Sequence, residues 1–171
     1  MVITASDRSA AGARDDASGS ALAARLAELG YEVDRSVVPD ERAAIAAAIT
    51  AATATHRLVL TTGGTGLTPR DVTPQATGSV LDYEVPGLAE AMRAEGRRST
   101  PMASLSRGLV GVRGGSLVAN LPGSPRGALE SLAALEPVLE HALETLDGPF
   151  DHAAASARGR ADLPDPTAPE R

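Results

Sequence analysis

The chain has 171 residues, 43% of them hydrophobic, which fits one domain with a buried core. A net charge of −6, with one Phe, two Tyr and no Trp, argues against nucleic-acid binding, because the chain provides little phosphate neutralisation or base stacking. The lack of cysteine excludes disulfides and thiolate chemistry, and the lack of a leader pattern or long apolar run favours a cytoplasmic protein.

Strand-like and helix-like patterns alternate over the first 62 residues. The predicted strands are residues 2–4, 31–38 and 58–62. Leucines at i, i+4 and i+7 predict a first helix that ends at Gly30, with Ser18 or Ser20 as its cap. A second helix is predicted over residues 42–53.

The second half of the chain continues in the same way. Thr73 is the expected cap of one helix, and Ser124 is the expected cap of the last helix. Pro86 opens a helix between these two, and Pro137 is expected to kink or divide the last helix. Further strands are predicted over residues 109–112 and 116–121.

This alternation predicts an α/β fold with three layers, α/β/α, around a mostly parallel central sheet. We expect a single domain over residues 1–150. From residue 151 to residue 171 the pattern dissolves into Ala, Arg, Asp and Pro, which predicts a flexible C-terminal tail.

The most informative stretch is residues 61–74, TTGGTGLTPRDVTP, in which an apolar strand runs into a glycine turn. Such turns bind phosphate in α/β proteins, because glycine backbones approach an anion closely and donate N–H groups to it. The stretch is neither a Walker A loop, since no Lys-Ser/Thr follows, nor the GxGxxG fingerprint. Every basic residue of the chain is Arg. Phosphate recognition therefore depends on Arg, backbone N–H groups or a metal.

Four loops are expected to meet at one rim of the sheet, beyond the carboxyl ends of its strands. They are residues 6–8, 39–41, 63–71 and 122–124. Their convergence brings four acids near the anion site: Asp7, Asp40, Glu41 and Asp71. Carboxylates beside phosphate need a cation between them, and Mg²⁺ suits oxygen ligands. The predicted chemistry is phosphoryl or nucleotidyl transfer.

Each of these features also has a purely structural interpretation. The GGTG sequence is also typical of a tight connection, and Asp40 or Ser124 is also typical of a helix cap. Asp71 is equally typical of a turn, and Arg107 of either a phosphate clamp or a solvated side chain. The histidines have no metal-ligand spacing and are expected on the surface: His56, His141 and His152.

Taken together, the motifs resemble the MogA/MoaB-type molybdopterin adenylyltransferases, a family that includes the gephyrin G domain. The matching segments follow one another collinearly through most of the chain. They are SDR at residues 6–8 with Gly12, Asp16, Ser18 and Gly19, then VPD at 38–40, residues 61–77, VPG at 85–87, LSR at 105–107 and NLPGSP at 120–125.

The resemblance implies a homotrimer and a Mg²⁺-dependent reaction in which ATP adenylylates the terminal phosphate of molybdopterin. Pyrophosphate is released, and a molybdate-inserting enzyme uses the product. The resemblance also implies roles for individual residues. The implied catalytic and metal-binding residues are Asp40 and Asp71. The implied nucleotide and phosphate ligands are Ser6, Asp7, Arg8, Gly63, Gly64, Thr65 and Gly66. The implied molybdopterin ligands are Asn120, Pro122, Gly123 and Ser124.

Two other hypotheses stay open at this point. The chain is alternatively a paralogue that binds molybdopterin without turnover, because fold does not determine activity. It is alternatively a different small nucleotide- or phosphate-binding protein that uses the same turns. The presence of both Asp40 and Asp71 favours the enzyme over the first alternative, and a pterin-binding measurement separates both from the second.

Overall fold

The structure is a computed structural model that describes residues 1–148. The strands are β1 (Val2–Ala5), β2 (Arg35–Val38), β3 (Leu58–Thr62), β4 (Tyr83–Glu84), β5 (Val110–Arg113) and β6 (Ser116–Leu121). The helices are α1 (Asp7–Ala10), α2 (Ala17–Glu28), α3 (Arg42–Ala52), α4 (Thr73–Gly78), α5 (Pro86–Ser99) and α6 (Pro125–Thr145), with a 3₁₀ helix at Pro101–Leu105. The predicted tail and His152 lie outside the described residues.

The strands form one sheet in the order β2-β1-β3-β6-β5-β4. Strands β2, β1, β3 and β6 are parallel to one another, whereas β5 is antiparallel to both of its neighbours. A two-glycine turn at residues 114–115 joins β5 directly to β6, and so short a connection permits only antiparallel pairing. None of the helices in residues 1–148 is long and apolar enough to cross a membrane.

Alternate residues of the central strands face two hydrophobic cores, one on each side of the sheet. Leu58 and Leu60 of β3 lie in the core formed with α2, α5 and α6, whereas Val59 lies in the core formed with α3 and α4. All five residues of β3 are buried, as expected for a central strand that helices cover on both faces. The predicted three-layer, mostly parallel α/β fold is therefore confirmed.

Two predictions about the first half of the chain are wrong. The second strand begins at Arg35 rather than residue 31, because the β1 ladder pairs with it only from the Val2–Arg35 pair onward. The cap of α2 is neither Ser18 nor Ser20. The Asp16 side chain accepts from the Gly19 N–H at 2.8 Å and caps the helix instead.

One prediction about the second half is also wrong, and one of the two outcomes expected at Pro137, a divided helix, is excluded. Thr73 is the first residue of α4 rather than its cap, and its hydroxyl donates to the Gly63 carbonyl oxygen at 2.9 Å. Helix α6 continues through Pro137 and is not divided. Pro137 is exposed, and Leu135 and Leu139 on either side of it stay buried in the core, which holds the two halves of α6 in place. The predicted cap at Ser124 is confirmed, because its side chain accepts from the Gly127 N–H.

Candidate active site at the carboxyl rim of the sheet

The four parallel strands end at the same rim of the sheet, and the four predicted loops meet there. The loops after β1 and β2 are joined by a reciprocal pair of hydrogen bonds. The loops after β3 and β6 are joined by the Thr62 hydroxyl, which donates to the Pro122 carbonyl oxygen at 2.7 Å. A Cβ atom on Gly123 would lie only 3.1 Å from Gly63 Cα, so these two turns pass close to each other.

Asp7 and Asp40 form the reciprocal pair. The Asp7 N–H donates to Asp40 Oδ2 at 2.9 Å, and the Asp40 N–H donates to Asp7 Oδ1 at 2.9 Å. The second Asp7 oxygen pairs with Arg70. The Asp40 N–H, and then the Arg70 guanidinium, hold the pKa of Asp7 below its usual range. Asp40 therefore does not cap α3, whose N-cap position is Glu41.

The glycine turn approaches its neighbours too closely for other residues. Gly63 has φ 99°, and a Cβ there would lie 2.4 Å from the Ala5 carbonyl oxygen. Gly64 has φ 63°, and a Cβ there would lie 2.4 Å from the Thr73 hydroxyl and 3.5 Å from Asp40 Oδ1. Both positions therefore require glycine. The Asp40 carboxylate lies directly beside the turn.

Asp71 lies at the other end of the same loop. Its Oδ2 accepts from the Thr68 N–H at 2.8 Å, and a Cβ on Gly66 would lie 3.0 Å from that oxygen. Within residues 1–148, neither Asp40 Oδ1 nor Asp71 Oδ1 accepts a hydrogen bond. Each aspartate thus keeps one carboxylate oxygen available beside the glycine turn.

The donor set fits a metal ion only if a substrate completes its coordination. In the described part of the chain, no three acidic or histidine side chains form a ready-made metal site. Two aspartates, each with an oxygen that accepts no hydrogen bond, suit Mg²⁺, which is commonly bound by one or two carboxylates together with substrate phosphates. Glu41 does not join this pair, and it is exposed at the start of α3.

Arg107 supports the loop from outside, a role that neither sequence interpretation included. Its Nε donates to the Gly66 carbonyl oxygen at 2.7 Å and its Nη2 donates to the Asp71 carbonyl oxygen. Its backbone N–H donates to the Thr65 carbonyl oxygen at 3.0 Å. These partners lie about 40 residues away in the chain, so no local pattern indicates them.

Asn120, a predicted pterin ligand, uses its whole side chain inside the protein. It is 1% exposed, and its amide group donates to the Thr61 and Thr77 hydroxyls at 3.0 and 2.8 Å. Its oxygen accepts from the Leu109 N–H. Ser124, which follows on the same segment, is exposed at the rim and caps α6.

Two cavities flank the glycine turn. The larger, about 250 Å³, lies between the turn and the α5 and α6 helices. Residues of all three regions line it, among them Gly66, Met92 and Ser131, together with Pro122 and Ser124 of the loop that follows β6. The smaller, about 140 Å³, lies on the Gly63 side between β1 and the start of α2. The rim therefore offers two separate compartments that meet at the glycine turn.

Comparison with known proteins shows that this chain is similar to proteins of molybdenum cofactor biosynthesis. The family model of the probable molybdopterin binding domain matches residues 1–141. The chain is 45% identical over 153 residues to the molybdenum cofactor biosynthesis bifunctional protein of Synechococcus elongatus, a match that covers 88% of this chain and 48% of that protein. The chain thus spans about half the length of that relative.

Two further relatives match over most of their own length. The chain is 37% identical over 154 residues to the molybdopterin adenylyltransferase of Helicobacter pylori J99. This match covers 87% of this chain and 88% of that protein. The crystal structure of the molybdopterin biosynthesis enzyme MoaB from Thermus thermophilus superposes with a TM-score of 0.80 at 49% identity, covering 88% and 97% of the two chains. Because the family model matches from β1 into α6, the chain belongs to the MogA/MoaB family of molybdopterin-binding domains.

Proposed function

We propose that the protein is a molybdopterin adenylyltransferase of molybdenum cofactor biosynthesis. It transfers the adenylyl group of ATP to the terminal phosphate of molybdopterin and releases pyrophosphate. The observation that carries the proposal is the pair of aspartates beside the glycine turn, Asp40 and Asp71, each with a carboxylate oxygen that accepts no hydrogen bond within residues 1–148. A relative named molybdopterin adenylyltransferase at 37% identity supports the choice of reaction.

The residues of the rim supply what nucleotidyl transfer requires. Backbone N–H groups at residues 64–66 donate to the phosphates, since the Gly63 N–H already donates to the Leu121 carbonyl oxygen. Asp40 and Asp71 would hold Mg²⁺. When bound, Mg²⁺ neutralises charge on the phosphates. An oxygen of the molybdopterin phosphate attacks the α-phosphorus of ATP in line, and the bond to pyrophosphate breaks. No protein nucleophile is needed, since positioning and charge neutralisation account for most of the catalysis.

The two substrates occupy different sides of the turn in this proposal. The pterin enters the 250 Å³ cavity, whose wall includes Pro122 and Ser124. Asn120 contributes by fixing this wall, because its side chain is fully used by Thr61, Thr77 and Leu109. The nucleotide phosphates lie on residues 63–66, with Ser6, Asp7 and Arg8 beside them. The proposal also includes the homotrimer and the downstream molybdate-inserting enzyme that the family resemblance implies.

The test is an adenylylation assay with purified protein, molybdopterin, ATP and Mg²⁺ that quantifies adenylyl-molybdopterin and pyrophosphate. We expect Mg²⁺-dependent product from the wild type and a loss of about 100-fold or more in Asp71→Asn. Asp34→Asn is the matched control, because Asp34 is an exposed acid at the opposite end of the sheet, before β2. Molybdopterin binding without product would instead identify a paralogue that binds without turnover.

A further inference from the structure

The glycine turn lies between two halves of the rim. In the sheet order β2-β1-β3-β6, the loop after β3 has the loop after β6 on one side and the loops after β1 and β2 on the other. The β6 side carries Pro122 and Ser124 of the larger cavity, which the pterin enters in the proposed function. The other side carries Asp7 and Asp40. A phosphate on the glycine turn therefore has the pterin on one side and these two acids on the other.

In-line transfer determines the direction in which the leaving group departs. An oxygen of the molybdopterin phosphate forms a bond to the α-phosphorus of ATP, while the bond from that phosphorus to the bridging oxygen breaks. The electron pair of the broken bond stays on the pyrophosphate oxygen, which gains negative charge. Because the attacking and leaving oxygens lie on opposite sides of the phosphorus, a nucleophile that arrives from the β6 side expels pyrophosphate toward the loops after β1 and β2.

The side of the rim that receives pyrophosphate is acidic. Asp7 and Asp40 lie there, and Glu41 is exposed next to them in the chain. A single Mg²⁺ offsets only two of the negative charges that the phosphates and carboxylates bring together. Every basic residue of the chain is Arg, so further neutralisation of the leaving group has to come from a guanidinium.

Arg70 is in position to supply this positive charge. It belongs to the loop of residues 63–71 and immediately precedes Asp71. Its Nη2 pairs with Asp7 Oδ2, although 63 residues separate the two in the chain, and this contact places the guanidinium on the β1 side of the turn. The Arg70 side chain is 63% exposed and the Asp7 side chain is 46% exposed. Both partners are therefore open to an incoming ligand.

The guanidinium of Arg70 is also free to change partner. Its remaining N–H groups make no hydrogen bond within residues 1–148, and an exposed ion pair of this kind adds little to stability. Bidentate hydrogen bonds from Arg to phosphate are stronger. Two other arginines near the turn are engaged elsewhere, because Arg107 donates to carbonyl oxygens of the loop and Arg126 pairs with Glu130 on the β6 side.

We infer that Arg70 binds the leaving pyrophosphate: Asp7 holds its guanidinium in the ligand-free protein, and the guanidinium moves to the β- and γ-phosphates when ATP binds. The inference rests on the proposed function, since adenylyl transfer is the reaction that releases pyrophosphate. Arg70 then stabilises the charge that develops on the leaving oxygen. Asp7 still accepts from the Asp40 N–H through its other oxygen, so the exchange leaves Asp40 in place.

The test is calorimetric titration of ATP, AMP and pyrophosphate, each with Mg²⁺, into the wild type, Arg70→Ala and Arg70→Lys. Arg70→Ala should weaken ATP and pyrophosphate about 10-fold and AMP about twofold or less, because AMP lacks the two phosphates that Arg70 contacts. Arg70→Lys should lie between the wild type and Arg70→Ala, since an ammonium keeps the charge without the planar fork. Arg98→Ala is the matched control, because Arg98 is also an exposed arginine paired with an acid, Glu95 of its own helix.

Two further measurements separate this role from a structural one. Because the Arg70–Asp7 pair is exposed, ligand-free Arg70→Ala should melt within about 2 °C of the wild type. In the adenylylation assay, Arg70→Ala should need about tenfold more pyrophosphate for the same product inhibition.

Two results would overturn the inference alone. Equal weakening of ATP, AMP and pyrophosphate would make Arg70 a positioning residue that acts through Asp7 and Asp40, and an unchanged affinity for pyrophosphate would remove Arg70 from the leaving-group site. A wild type that forms no adenylyl-molybdopterin would overturn the proposed function itself.

Discussion

Asp7 and Asp40 each donate a backbone N–H to the other's carboxylate, both at 2.9 Å, although 33 residues separate them. This exchange joins the loops that follow β1 and β2 and orients Asp40 so that its second oxygen lies beside Gly64. The carboxylate at the proposed metal position is thus held by the protein itself. Preorganisation of this kind lowers the cost of placing charge next to a phosphate.

Asp40→Asn should separate this structural role from the catalytic one. The amide oxygen of Asn still accepts from the Asp7 N–H, so we expect a melting temperature within about 2–4 °C of the wild type, as for a change of about 1 kcal/mol. The lost negative charge should lower adenylylation about 100-fold or more. Steady-state rates over a range of Mg²⁺ concentrations measure this, with Asp34→Asn as the control. Wild-type rates in Asp40→Asn would remove Asp40 from the metal site.

Arg107→Lys should loosen the loop that carries Asp71. A guanidinium donates to the Gly66 and Asp71 carbonyl oxygens together, whereas one ammonium on a flexible stem does not reproduce that planar fork. We expect kcat to fall about 10- to 100-fold, because a small misplacement of a catalytic group is costly. Amide hydrogen exchange over residues 65–71 should become about tenfold faster.

The control for this experiment is Arg98→Lys, since Arg98 is an exposed arginine whose one ion-pair partner within residues 1–148 is Glu95. Added guanidinium should partly restore activity to Arg107→Ala, which a general loss of stability would not allow. Unchanged exchange over residues 65–71 in Arg107→Lys would show that Arg107 does not support the loop.

The features that were predicted from the sequence are those set by local pattern and by strand direction. The apolar run at Leu58–Thr62 identifies a central strand because only burial on both faces favours it. The convergence of Asp7, Asp40 and Asp71 follows because parallel strands end at one edge.

Contacts between distant segments decide the features that were missed. The sequence around the start of α2 offers three residues of types that cap helices equally well: Asp16, Ser18 and Ser20. Arg35 of β2 pairs with Asp16, and this distant contact favours Asp16 as the cap. The sequence favours Thr73 as a cap, but in the structure its hydroxyl donates to the Gly63 carbonyl oxygen, ten residues earlier in the chain. The buried Thr4 hydroxyl, which has no hydrogen-bond partner within residues 1–148, is recognised only when β1 and α2 are packed together.

Asn120→Leu should destabilise the protein without a change of net charge. The substitution leaves the Thr61 and Thr77 hydroxyls and the Leu109 N–H without their partner in a buried environment. We expect a loss of about 2–4 kcal/mol, since several buried polar groups lose their hydrogen bonds. Urea unfolding measures the change, and Ser124→Ala, at the exposed end of the same segment, should cost only about 1 kcal/mol as a lost cap. An Asn120→Leu protein as stable as the wild type would contradict the assigned role.

The Arg25–Glu136 pair should make the α2–α6 contact sensitive to acid. The Arg25 guanidinium donates two hydrogen bonds to the Glu136 carboxylate, at 2.9 and 2.7 Å. These hydrogen bonds hold the pKa of Glu136 below its usual value of 4.5. Because the folded pKa is lowered, the pair stabilises the protein fully above pH 4.5 and loses its effect as the pH falls through the lower value. Glu136→Gln should therefore melt roughly 1–4 °C below the wild type at pH 7, and this difference in melting temperature should close in acid. Calorimetry between pH 7 and pH 3 measures this difference in melting temperature. The control is Glu144→Gln, because Glu144 is an exposed acid on the same helix. A difference that stays constant with pH would show that the lower melting temperature of Glu136→Gln has another cause.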